Sequence, residues 1–138
     1  MDEKTLGLFN TAFEAMGKEV ASQGISGTGV VAYLADAETI DWELSIHVFG
    51  KMEIPPHGDD VGWNLIGMAC SKAAESINTK VKSGSAPRAL EHGEVGYPGA
   101  EVQACGKGYV VAAFGGARDE QDYEVAKAGV AAMVAALS

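Results

Sequence analysis

A chain of 138 residues can bury well over half of its unfolded surface in one core, and it predicts a single domain spanning 1–138. Its 19 acidic against 10 basic residues, a formal net charge of -9, argue against nucleic acid and anionic membranes as partners, because both need clustered Lys and Arg. No apolar run reaches the roughly 18 residues of a membrane span, and Met1-Asp-Glu-Lys lacks the basic-then-apolar start of a signal peptide, so a cytoplasmic protein is expected.

From Thr5 to Val20, the residues Leu6, Leu8, Phe9, Ala12, Phe13, Met16 and Val20 recur at helical spacing, with Asn10, Glu14 and Lys18 on the other side. The Gly/Ser-rich stretch from Ser22 to Gly29 ends that helix. Val30 to Leu34 reads as a buried strand, and Ala35 to Glu38 as a turn. Ile40, Trp42, Leu44, Ile46 and Val48 then alternate with Asp41, Glu43, Ser45 and His47, which predicts a second strand with a dry and a wet face. The short turn between the two makes an antiparallel hairpin.

Pro55-Pro56-His57-Gly58 marks a loop, after which Asp59 or Asp60 is expected to cap a helix from Val61 to about Val81. Its apolar face carries Trp63, Ile66, Cys70, Ala73, Ala74 and Ile77. Lys82 to Arg88 is a connector, and Ala89 to Glu94 is ambiguous. A strand from about Ala100 to Cys105, a short loop at Gly106-Lys107-Gly108 and a strand from Tyr109 to Phe114 form a second hairpin. Gly115-Gly116 breaks the last strand, and Asp119 or a neighbour caps a final helix to Leu137, rich in Ala and Gly and suited to close approach of another backbone. The order helix, strands, helix, strands, helix with short turns predicts an α+β layered domain with a largely antiparallel sheet.

Three segments carry a resemblance: Ala69-Cys-Ser-Lys-Ala73, Pro98-Gly-Ala100 and, most specifically, the run from Phe114 to Gly129. They are similar to the GlcG/HbpS-like family, a haem-binding group that includes the C-terminal domain of PduO-type proteins. Asp36 falls where that family has an Asp-containing turn, and Lys51-Met52 where it has an Arg-Met pair. The resemblance implies a profilin-like α/β/α domain with about five largely antiparallel strands, assembled into homo-oligomers, with haem bound in some members. Those that hold haem through a histidine on the first helix have no counterpart in Thr5 to Val20, which contains no His.

Several residues are candidates for chemistry. His47 on the wet face of its strand is either a general base or ligand, or a satisfied strand histidine. His57 with Asp59 or Asp60 offers metal donors, although either Asp also serves as a cap. Cys70 is a thiolate ligand for haem or a buried small apolar residue. Lys72 either pairs with Asp122, Glu120 or a bound carboxylate, or lies solvated on a helix flank. Gly115 and Gly116 present backbone N–H groups before a helix, beside the acidic Asp119 and Glu120. The two cysteines, Cys70 and Cys105, are expected reduced and packed in the core.

Two functions follow as expectations. One is an oligomeric domain that binds a small molecule or haem, in haem handling or a catabolic pathway. The other is an enzyme on a small organic acid, with His47 or His92 as base and Lys72 or the Gly115-Gly116 turn holding a carboxylate or oxyanion. A subunit serving assembly alone is a third reading.

Overall fold

Asp2 opens the first helix, its carboxylate accepting the Thr5 N–H at 2.7 Å, and Gly24 closes it with φ +65°. In the computed structural model, which describes residues 1–138, α1 therefore runs Glu3–Gln23, longer than the apolar periodicity alone marks. The strands are β1 Gly27–Leu34, β2 Glu43–Phe49, β3 Glu53–Ile54, β4 Trp63–Asn64, β5 Ala100–Cys105 and β6 Gly108–Gly115. Two more helices, α2 Leu65–Thr79 and α3 Asp119–Leu137, complete the α+β fold.

Four strands form one antiparallel sheet in the order β2-β1-β6-β5, and β3 pairs with β4 in a separate two-stranded ribbon. The main sheet is thus one strand smaller than the five expected. Both expected hairpins are present, and the β5–β6 turn is closed by Cys105 opposite Gly108.

Strand alternation divides the core in two. Val31, Val110, Ala112 and Phe114 face α1 and α3, where they join Phe9, Ala12, Met16, Val125, Val130 and Met133. Val30, Ala32, Val111 and Ala113 face α2, where they join Ala69 and Ala73. The result is a helix-sheet-helix layering with the continuous apolar runs of β1 and β6 buried on both sides. The α1–α3 contact uses the small residues of α3: a Cβ placed on Gly129 would lie 2.7 Å from Met16 Sδ.

Two expectations are corrected. The second helix starts at Leu65 and is capped by Asn64, whose side chain accepts the Gly67 N–H at 3.0 Å, whereas Asp59 and Asp60 sit in the turn of the β3–β4 ribbon and Trp63 is in a strand. The dry face of β2 is also not dry. Leu44, Ile46 and Val48 are 47%, 48% and 39% exposed, because they point to the α2 side of the sheet at an edge that α2 does not cover. Glu43 and Ser45, expected wet, lie half-buried on the other face.

Two of the glycines inside helices, Gly129 and Gly7, predict opposite outcomes. Gly129→Val forces branched carbons into Met16 and Ala112 and is expected to destabilise by about 1–3 kcal/mol. Gly7→Ala, with nothing within 4 Å of the new methyl, is expected to stabilise by about 0.5–1 kcal/mol. Denaturant titration of both variants checks the contrast.

Candidate functional site

β6 ends at Gly115 because the chain must turn sharply from sheet to helix. Gly116, at φ +139°, supplies the turn, and a Cβ there would meet Gly27 Cα and Ser26 O at 2.7 Å. Lys51 reaches the same bend, its amine donating to Gly116 O at 3.1 Å. Thr28 in turn fixes Lys51 by donating its hydroxyl to the Lys51 carbonyl at 3.0 Å. The Gly-Gly turn is therefore held from the β1–β2 side before α3 begins.

The Lys72 ammonium on α2 lies beneath this turn. It donates to Asp122 Oδ2 at 3.0 Å and to the Phe114 carbonyl at 3.0 Å, with the two ion-pair side chains only 4% and 3% exposed. Asp122 Oδ1 accepts the Ala117 N–H at 3.0 Å, so one carboxylate both pairs the lysine and holds the backbone just before α3. Burial pushes the Asp122 carboxyl up, against the downward pull of Lys72 and the Ala117 N–H. Gly99 leaves room for the lysine, since a Cβ there would lie 2.7 Å from Lys72 Nζ. Of the partners expected for Lys72, Asp122 is the one it takes, and Glu120 instead lies near Arg118 at 3.5 Å.

Above the ion pair is a cleft of about 360 Å³. Ile54 and Trp63 come from the β3–β4 ribbon, Leu65 and Met68 from the first turn of α2, and Tyr97 from the connector before β5. Lys72, Asp119, Asp122 and the Gly115-Gly116-Ala117 backbone form its polar side. The Trp63 and Tyr97 rings stand 6.1 Å apart at 54°. Half-exposed aromatics beside a buried charged pair give a site with an apolar wall and few fixed polar groups, the usual make-up of a small-molecule pocket.

The connector that carries Tyr97 is tied down by charge. Buried Glu75 on α2 accepts the Gly84 N–H at 2.6 Å and the Gly96 N–H at 3.2 Å. Arg88 and Glu94 form a two-pronged pair at 2.8 and 2.9 Å, which together with the Glu91 N–H lowers the Glu94 carboxyl to about 2.

The other candidates do not converge on the cleft. His47 lies on the α1 side of β2, its ring 5.5 Å from Phe13 and 4.5 Å from Phe49. His57 is at the exposed tip of the β3–β4 ribbon, its N–H donating to Asp60 O at 3.1 Å, and Asp59 occupies the same turn. His92 is exposed on the connector. Cys70 is half-buried against the second core, and burial pushes its thiol up, away from the thiolate. Cys105 is likewise free, against the first core. Asp36 closes a turn by accepting the Glu38 N–H at 2.9 Å. No three His, Cys, Asp or Glu side chains are grouped to hold a metal ion. Of residues that ligate haem iron, the cleft is lined by Met68 and Tyr97, with no His and no Cys.

Trp63 and Tyr97 are not legible as a site in the sequence, because aromatics far apart along the chain carry no spacing signal; the ribbon and the connector bring them together. Comparison of the chain with protein-family models and with curated proteins gives no match in either case.

Two predictions follow from the charged groups. Lys72→Met leaves the Asp122 carboxylate buried alone and is expected to cost about 3–5 kcal/mol. The double variant Lys72→Met with Asp122→Leu should lose less than the sum of the two single changes in urea titrations, and simple additivity would contradict the pairing. For Glu94 the folded carboxyl lies below its unfolded range, so its contribution is full above that range and fades as pH falls toward about 2. A carboxyl NMR titration should place the Glu94 midpoint near that pH, and Arg88→Ala should return it to the ordinary carboxylate range.

Proposed function

We propose that this protein is a homo-oligomeric small-molecule-binding domain whose ligand occupies the cleft between the β3–β4 ribbon, the start of α2 and the Gly115-Gly116 turn. The observation that carries the reading is the Trp63–Tyr97 pair facing the buried Lys72–Asp122 pair across one cavity. The resemblance of the run from Phe114 to Gly129 to the GlcG/HbpS-like family supports the same reading, since this run builds the turn and the acidic half of the ion pair.

The charges limit the ligand. Lys72 is neutralised by Asp122, the Ala117 and Arg118 N–H groups are taken by Asp122 and Gln121, and Asp119 sets a carboxylate beside the donors that are left. An anion entering the cleft therefore meets net negative charge in spite of the helix N-terminus. A neutral or cationic molecule with a planar apolar body suits the aromatic wall. Two of the three ammonium hydrogens of Lys72 are engaged, and the third is free for a carbonyl or hydroxyl oxygen of the ligand.

The haem version gains no support from the donor set, and the His-base version gains none from the positions of His47 and His92. The cleft reading is tested by screening neutral, cationic and anionic aromatic fragments against the amide NMR spectrum, with hemin titration alongside. Neutral or cationic fragments should shift the signals of Trp63, Tyr97 and Gly116 and lose this effect in Trp63→Ala, while hemin leaves the Soret band at its free position. Fragments clustering elsewhere, or anions alone shifting these residues, would contradict it.

A further inference from the structure

β2 is an edge strand of unusual openness. Its seven residues, Glu-Leu-Ser-Ile-His-Val-Phe, contain no Lys and no Pro, and its ladder to β1 runs without a bulge from Gly27 opposite Phe49 to Tyr33 opposite Glu43. Lysines, prolines and bulges are the devices by which sheet edges avoid pairing with other chains. The opposite edge is different: β5 is flanked by α2 and α3, and Glu101 on it accepts the Tyr123 hydroxyl at 2.8 Å. On β2 the outer row of backbone N–H and C=O groups is free, and Leu44, Ile46 and Val48 are exposed on one face.

We infer that β2 pairs antiparallel with β2 of a second copy across a two-fold axis at Ile46, joining two four-stranded sheets into one of eight. This deepens the homo-oligomer reading above and rests on it. The register follows from overlap, because centring the axis on Ile46 pairs the whole of Glu43–Phe49 with itself. In that register Leu44 faces the second copy's Val48, Ser45 faces its His47 and Glu43 faces its Phe49, so no like charges are opposed.

Charge makes this self-match informative. Two chains of net charge -9 repel at long range, so their association needs a surface without opposed carboxylates, and β2 has one acidic residue. Past the strand end, Met52 and Val61 are exposed apolar side chains as well. A two-fold contact of this kind is self-complementary and closes after two copies.

Sedimentation of the full chain and disulfide trapping test the proposal. The wild type is expected at twice the mass of the chain or a multiple of it, and Ile46→Lys at the monomer mass with an unchanged far-ultraviolet spectrum. Under mild oxidation Ile46→Cys should form a disulfide to itself between copies, located by peptide mapping so that Cys70 and Cys105 do not confuse the result, because directly paired strand residues have Cα atoms about 4.5–5.5 Å apart. Leu44→Cys alone should not cross-link, while Leu44→Cys with Val48→Cys should. A monomeric wild type overturns both this interface and the oligomer reading. An oligomeric wild type that Ile46→Lys leaves intact, or in which Ile46→Cys does not link to itself, overturns the interface alone.

Discussion

A lysine almost wholly buried must have its charge met on the spot, and that requirement at Lys72 organises the centre of this molecule. The ammonium is met by Asp122 and by the Phe114 carbonyl, which belong to the start of α3 and the end of β6. Three elements must therefore reach one point with their polar groups aligned. Such a pair adds little net stability compared with an apolar substitute of the same shape, but it penalises every arrangement in which one partner is absent. Its value here is to fix where α3 starts relative to α2, two helices on opposite faces of the sheet.

Glycine makes that convergence sterically possible. Gly99 gives the lysine its space, Gly116 lets the chain turn away from β6, and Gly27 lies so close to the turn that a side chain would collide with Gly115 O. The same bend forms one wall of the cleft, so the packing constraint and the binding surface are one piece of backbone. The same packing leaves the cleft poor in free donors: the Lys72 ammonium and the Ala117 N–H, which an anion would need, are already taken by Asp122.

Much of this was legible in residue order. The heptad-like spacing of α1, the apolar runs of β1 and β6 and the glycine break before α3 each have a single local explanation, and the structure has all of them. Asp122 was among the partners expected for Lys72. The start of α2 was not legible, because the two-residue strands of the ribbon are too short to show a period and Asp59 and Asp60 imitate a cap that Asn64 supplies. Alternation in β2 was correct about which residues share a face and wrong that Leu44, Ile46 and Val48 are dry, because a period of two does not show where the covering helix ends. The histidines drew attention for their chemistry alone, whereas the cleft is assembled from Trp63 and Tyr97, whose meeting depends on tertiary folding.

The buried Glu75 carboxylate has a wider meaning for motion. It has no ion-pair partner and is satisfied by the amides of Gly84 and Gly96. If the connector lifted, the buried carboxylate would lose both of its amide donors, which penalises detachment. Helix α2 and the connector are thus tied at both Gly84 and Gly96, and the second tie lies one residue before Tyr97, at the aromatic lip of the cavity.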